Sequence, residues 1–297
     1  MKTQRPEVAG LGEVLWDLLE QGRKLGGAPA NFAYFASQLG ARAMLVSRVG
    51  QDELGDETLR RLGDLGLGAD AVTRDPEHET GKASVAVDAA GVPRFVIHEP
   101  AAWDFIAAPE GALDRLGKAD AVCFGTLGRR HPVARASIRA MVESTPAAAL
   151  RVFDINLRPP FYTAEVITEG LGLANVLKIN EDELKVVSEI YGLAGDEVDR
   201  LRGLRDQFGL RLVAMTKGGE GSLIVADDQV SRHPGIPTEV KDTVGAGDAF
   251  AAALVMGLLR GGDLEALHAR AARLASYVCS QAGATPPLPA ELVAEWG

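Results

Sequence analysis

The sequence predicts an α/β fold with a mainly parallel sheet covered by helices on both faces. Three observations point there. Short, almost wholly apolar runs recur along the 297-residue chain, as expected of strands buried on both faces. Segments with a helical apolar period separate most of them, the alternation that a parallel sheet requires. One alanine-rich apolar segment, 251–259, reads as a buried helix.

Residues 8–19 start as a buried strand, and an extended, glycine-marked ribbon follows to Gly26 and Gly27. Phe32, Phe35, Ala36 and Leu39 recur at i, i+3, i+4 and i+7, which makes 28–40 a helix closed by Gly40. A strand at 43–50 and a helix at 55–67 follow, and further strands are expected at 121–125, 150–154, 176–180, 212–216 and 222–225. Residues 80–98 depart from this pattern and read as a β-hairpin turning at Ala89 to Gly91, with no helix nearby to cover it. The expectation is a small second sheet, formed from about 12–26 and 80–103, standing apart from the body as a lid. No repeat or linker divides the chain, so 1–297 reads as a single α/β domain with this lid, and ligands belong at the carboxyl ends of its strands.

Forty-one acidic against 31 basic residues give a net charge of −10 with no Lys/Arg cluster, which argues against nucleic acid as a partner. An anionic cosubstrate would then need local positive groups. Residues 1–7 lack the apolar core of a signal peptide, and the apolar segment after Asp248 is too short and too rich in small residues to span a membrane. Cys123 and Cys279 have no metal-ligand spacing and read as reduced core residues. A cytoplasmic protein is expected.

The chemistry is expected around Gly245-Ala246-Gly247-Asp248. A side-chain-poor turn running into a buried helix directs backbone N–H groups and the positive end of the helix dipole at one point, an anion hole. A carboxylate there would repel an anion unless it has another task, and accepting a hydroxyl proton during phosphoryl transfer is such a task; capping the helix is the alternative. Asp17, the Gly26-Gly27 pair and Asn31 suit a polyol, because a carboxylate accepts from neighbouring hydroxyls and an amide both donates and accepts; a turn with a helix cap would use the same residues. Asp154, Asn156 and Arg158 follow a strand end, where Arg158 could hold substrate or phosphate with the other two in support, or form a structural Arg–Asp pair. Asn180 and Glu183, three apart at a helix start, could orient hydrated Mg²⁺ or make a capping box. Residues 216–221 sit between two strands and also read simply as a hairpin turn.

Asp-Thr-Val-Gly-Ala-Gly-Asp-Ala-Phe at 242–250 resembles the C-terminal signature of the ribokinase-like (PfkB) carbohydrate kinases, with Val244 where that family usually has Thr. Gly-Gly-Ala-Pro-Ala-Asn at 26–31 resembles its N-terminal signature, and the D-x-N-x-R piece at 154–158 is similar to that of fructokinases and ketodeoxygluconate kinases. The resemblance implies the ribokinase-like fold, Asp248 as catalytic base, an anion hole at Gly245, Ala246 and Gly247, and sugar contacts from Asp17, Gly27, Asn31 and Arg158. Its N-x-x-E motif matches Asn180 and Glu183, which implies Mg²⁺ held mainly through water. T-x-G-x-x-G matches Thr216, Gly218 and Gly221 for ATP, with Lys178 and Thr243 beside the nucleotide. The C-terminal loop at 282–287 implies K⁺ cradled by Asp242, Val244 and Gly283. Trp103 and Asp104 stand where the family often has small or aliphatic residues, so Trp103 is expected to reshape the sugar pocket.

The activity expected is therefore ATP-dependent phosphorylation of a sugar primary hydroxyl, fructose to fructose 6-phosphate first. 2-Keto-3-deoxygluconate, ribose and a nucleoside are alternatives, the last stacking on Trp16 or Trp103. A catalytically silent sugar-binding regulator on the same fold is the alternative of another class. Sugar and ATP are the expected partners, with no nucleic acid or membrane, and a homodimer is expected through the lid.

Overall fold

The computed structural model describes residues 5–19, 22–87 and 93–296. Among the described residues thirteen strands make two sheets: β1 (Glu7–Leu11), β2 (Leu15–Leu19), β3 (Gly22–Gly26), β4 (Arg42–Gly50), β5 (Val72–Asp75), β6 (Gly81–Val87), β7 (Pro93–Ile97), β8 (Ala121–Phe124), β9 (Leu150–Asp154), β10 (Val176–Asn180), β11 (Leu212–Thr216), β12 (Ser222–Ala226) and β13 (Gln229–His233). The large sheet runs β13-β12-β11-β10-β9-β8-β1-β4-β5 and is parallel from β11 to β5, with β12 and β13 antiparallel at one edge. Neither β5 nor β13 was expected from the sequence; each is short and carries charged residues, which hides it among loops.

Alternation along the strands explains the two-sided cover. Val8, Val152, Val176 and Leu212 belong to one apolar core; their neighbours Ala9, Phe153, Leu177 and Val213 belong to the other. The first core is closed by α1 (Ala28–Gln38), and its other face packs against helices named below. α2 (Glu53–Asp64) joins the first core through Leu62, and on the opposite side α3 (Glu110–Leu116), α4 (Pro132–Glu143), α5 (Ala164–Leu173), α6 (Glu181–Tyr191) and α7 (Glu197–Phe208) contribute to the second core. Near the end come α8 (Ala246–Arg260), α9 (Leu264–Cys279) and α10 (Ala290–Ala294). Nine successive residues of α8, Ala249 to Gly257, are buried, so the alanine-rich stretch is the internal helix that its composition implies.

The small sheet runs β3-β2-β6-β7, with β2 and β6 parallel and the outer pairs antiparallel. The expected hairpin turn at Ala89 to Gly91 lies outside the described residues. This sheet is less detached than expected. Trp16 on β2 is 1% exposed, and its indole N–H donates to Thr58 Oγ1 at 2.8 Å and to the Leu54 carbonyl at 3.1 Å, both on α2. An indole this large is not held over open solvent when a helix can satisfy its N–H, so the lid's base is tied to the body. Residues 98–103, expected in the lid, lead instead into a 3-10 turn at Ala102–Phe105 beside α4. Among the described residues no helix is long and apolar enough to cross a membrane.

Candidate active site

The carboxyl ends of β1, β8, β9, β10 and β11 converge on the start of α8. Gly245, at φ 83°, makes the turn into that helix, and a Cβ there would overlap the Ala284 carbonyl oxygen, so only glycine fits. The Ala246 N–H is taken by the Thr243 carbonyl at 3.3 Å, leaving the amides of Gly247 and Asp248 as the first-turn donors. The turn thus engages the amide of Ala246, one of the expected Gly245-Ala246-Gly247 set.

Asp248 stands in this first turn, and Asn31 Nδ2 donates to its Oδ2 at 2.8 Å. That bond joins the two signature segments, which lie 217 residues apart in the chain. It engages one carboxylate oxygen, and among the described residues no hydrogen bond to the other is made. Burial lifts the Asp248 carboxyl to about 7, the charge of Asp154 adds to the rise, and the Asn31 bond, Lys178 and Arg158 oppose it. A carboxyl poised there is matched to proton transfer near neutral pH.

Asp154 was expected to support Arg158, and its partner is instead Lys178: Nζ donates to Oδ1 at 3.0 Å, with both side chains buried. The register explains this, since Asp154 and Lys178 are direct neighbours on parallel strands β9 and β10, whereas Arg158 lies four residues into a loop. Burial would lower the Lys178 pKa, but the carboxylates of Asp154, Glu183 and Asp248 outweigh it and hold the ammonium at about 12. A Cβ on Gly247 would come within 3.0 Å of Lys178 Nζ, which puts a fixed positive charge beside the amide donors. Arg158 is exposed, donates to its neighbour's carbonyl (Leu157) at 3.1 Å, and its charge acts on Asp17, Asp248 and Glu13.

Asp17 on β2 is half-buried, its pKa raised by burial against the pull of Lys24 and Arg158. A Cβ on Gly26 would lie 3.2 Å from Asp17 Oδ2, and Gly27, at φ 123°, is the N-cap of α1. Lid and helix thus meet at the bare backbone of these two glycines. Trp103 is fully buried, with the Arg130 guanidinium 4.0 Å from its ring centroid and that Arg paired with Asp104.

Asn180 and Glu183 form a capping box at the start of α6. The Glu183 amide donates to Asn180 Oδ1 at 2.9 Å, and Glu183 accepts from the amides of Asn180 and Leu157 at 2.8 and 2.9 Å. Each Glu183 oxygen thus carries one amide bond. Among the described residues no cluster of three His, Cys, Asp or Glu could cage a metal ion. Such a donor set fits Mg²⁺ reached through water and phosphate and does not fit an all-protein site. Asp242 accepts from the amides of Val244 and Gly283, both at 3.1 Å, and pairs with Lys24 of the lid at 3.5 Å. Asp242, Val244 and Gly283 are thus brought together, through amide bonds to the carboxylate, with a lysine already beside it.

Thr216, Gly218, Gly221, Thr243 and Gly247 line a cavity of about 490 Å³, floored by Phe250. Residues 216–221 are at once the turn between antiparallel β11 and β12 and the wall of this cavity. Cys279, expected in the core, is half-buried and lines the same cavity, whereas Cys123 is buried. The end of α9 opens onto the pocket, which the local apolar sequence does not reveal.

Comparison with known proteins agrees with this geometry. Residues 11–291 match the model of the pfkB family carbohydrate kinases. The chain belongs to that family. It is 30% identical to the fructokinase of Escherichia coli over 259 residues, covering 84% of this chain and 83% of that one. Among solved structures, the fructokinase of Vibrio cholerae O395 with fructose, ADP and calcium ion superimposes with a TM-score of 0.79 at 25% identity, covering 97% of this chain and 98% of that one. The ATP-bound fructokinase of Xylella fastidiosa gives 0.85 at 20% identity, covering 99% and 98%, and supports the fold alone. The protein is a ribokinase-like carbohydrate kinase, a phosphotransferase acting on an alcohol group.

One site residue was missed in the sequence. Glu13, 3% exposed, lies between β1 and β2 and faces Asp248 and Arg158. A carboxylate inside the apolar stretch before Asp17 was the available signal.

Proposed function

We propose that this kinase transfers the γ-phosphoryl group of ATP to the primary hydroxyl of a neutral sugar, fructose first, giving fructose 6-phosphate and ADP. The observation that carries it is the Asn31–Asp248 bond, which sets a carboxylate with one free oxygen beside the amides of Gly247 and Asp248. Asp248 accepts the hydroxyl proton as the hydroxyl oxygen bonds to phosphorus and ADP departs. The two amides and Lys178 stabilise the charge on the transferring group, and Asp17, Gly27, Asn31 and Arg158 orient the sugar. ATP is assigned to the cavity bounded by Thr216, Gly218, Gly221 and Thr243. Mg²⁺ would be held through water by Asn180 and Glu183 and would offset the charge of the nucleotide phosphates; K⁺ would be held by Asp242, Val244 and Gly283.

Charge favours a neutral acceptor. Arg158 faces three carboxylates, Glu13, Asp17 and Asp248, so a sugar acid would enter a field already negative. A nucleoside base would want an aromatic face, and both Trp16 and Trp103 are buried in other contacts. Relatives named fructokinase and the fructose-bound Vibrio cholerae enzyme point the same way. A silent binder would gain nothing from a poised acid at an anion hole. We also infer a cytoplasmic homodimer formed through the small sheet, which light scattering on the purified protein would test. For the substrate, kcat/KM with ATP should rank fructose above ribose, 2-keto-3-deoxygluconate and adenosine; a sugar acid or a nucleoside at the top would overturn the assignment.

A further inference from the structure

Phosphoryl transfer as described makes no use of His268, yet this imidazole on α9 is wholly buried and bonded at both ring nitrogens. Nε2 meets Ser222 Oγ of β12 at 2.7 Å and Nδ1 meets Ser231 Oγ of β13 at 2.8 Å, and both serines are buried. Burial, with the charge of His233 adding to it, lowers the imidazole to about 4, so the ring is neutral near pH 7. A neutral imidazole carries one donor and one acceptor, so one serine donates to it while the other accepts from it. A leucine would fill this place with no polar atom to satisfy. A Ser–His–Ser chain with both nitrogens bonded fixes the relative position of three elements instead.

Those elements surround the cavity assigned to ATP. Ser222 directly follows Gly221, pairs with Thr216 across the turn and lines the cavity. The His268 ring stands perpendicular to that of Phe250, the cavity floor, with 6.0 Å between centroids. Along α9, Ala272, Ala275 and Cys279 follow His268 at helical spacing on one face, and all three line the cavity. Ser231 lies outside that lining.

We propose that His268 is a positioning residue for ATP, its imidazole bracing Ser222 and Phe250 so that the turn at 216–221 and the cavity floor keep the geometry in which the nucleotide binds. The inference rests on the assignment of ATP to this cavity. Its effect is confined to the nucleotide, since the sugar contacts assigned to Asp17, Gly27 and Asn31 come from the lid and the start of α1.

His268→Leu fills the volume and removes both bonds. Isothermal titration calorimetry with ADP, which needs no turnover, is expected to give a Kd roughly five- to twentyfold higher, with the KM for ATP rising alike and the KM for sugar unchanged. His268→Gln, whose amide both donates and accepts, should recover most of that loss. Ser231→Ala separates the proposal from a direct contact of Ser222 with nucleotide: the residue lies outside the cavity, so ADP binding weakens, by roughly two- to fourfold, only if the ring transmits the change. Combining Ser222→Ala with His268→Leu should weaken binding no more than the stronger single variant does, because both break one chain. A histidine with a structural role alone would lower Tm in His268→Leu and leave the Kd of the folded protein at the wild-type value. That result, or wild-type affinity in Ser231→Ala, overturns the proposal. Wild-type protein that binds no ADP would overturn the assignment of ATP to the cavity and this inference with it, whereas wild-type binding that the variants match would overturn this inference alone.

Discussion

Replacing Lys178 with methionine separates two roles that the buried ammonium combines. Its Nζ lies 3.0 Å from Asp154 Oδ1, with both side chains less than a tenth exposed, so Lys178→Met leaves a buried carboxylate without its partner. Breaking such a pair costs about 3–5 kcal/mol. Adding Asp154→Asn removes the stranded charge, and the double variant should regain all but about 1 kcal/mol, measured by urea denaturation. Activity should not follow. The ammonium is fixed beside Gly247, where the phosphoryl charge develops, and losing one preorganised donor of this kind costs about 10²–10³ in kcat. The assay is steady-state ADP release for wild type, the single variant and the double variant, under conditions where each is folded. Recovery of both stability and turnover in the double variant would refute the reasoning, since the lysine would then be a structural counter-ion alone.

Three other outcomes follow from the same geometry. The Asp248 carboxyl is held at about 7 against an unfolded value of 3.8, so the native state binds the extra proton between these values and stability falls as pH rises through that window; Asp248→Asn should flatten the dependence and raise Tm at pH 8, and an unchanged pH–Tm curve would contradict the burial argument. Gly245→Ala should lower kcat by about 10²–10³ and destabilise the fold by about 1–2 kcal/mol or more, because a left-handed turn and the Ala284 carbonyl leave no room for a methyl. Trp16→Phe removes the indole donor to Thr58 and Leu54, and should cost about 1–3 kcal/mol of stability while leaving the KM for sugar unchanged; a large change in that KM would return Trp16 to the pocket.

Much of this architecture is written locally. Strands β9, β10 and β11 read directly because a parallel strand buried on both faces is a continuous apolar run, and α8 because alanine and leucine fill it. Asp248 was legible as a carboxylate out of place and Asn31 through its signature, though their contact depends on α1 and α8 packing side by side. What escaped depends on pairing between distant segments. Lys178 meets Asp154 only through strand register, Trp16 turns to α2 only because the lid folds back, and the Ala246 amide is lost to a turn carbonyl that no residue identity announces. Glu13 shows in the sequence as a carboxylate inside an apolar stretch, but the groups that act on it lie on two other elements.

The most direct test is the turnover of Asp248→Asn with ATP and fructose at pH 8. Asparagine keeps the shape and the contact to Asn31 but cannot take a proton, so kcat should fall by about 10³ or more with the KM for ATP little changed. A rate within tenfold of wild type would contradict the assignment of Asp248 as the proton acceptor.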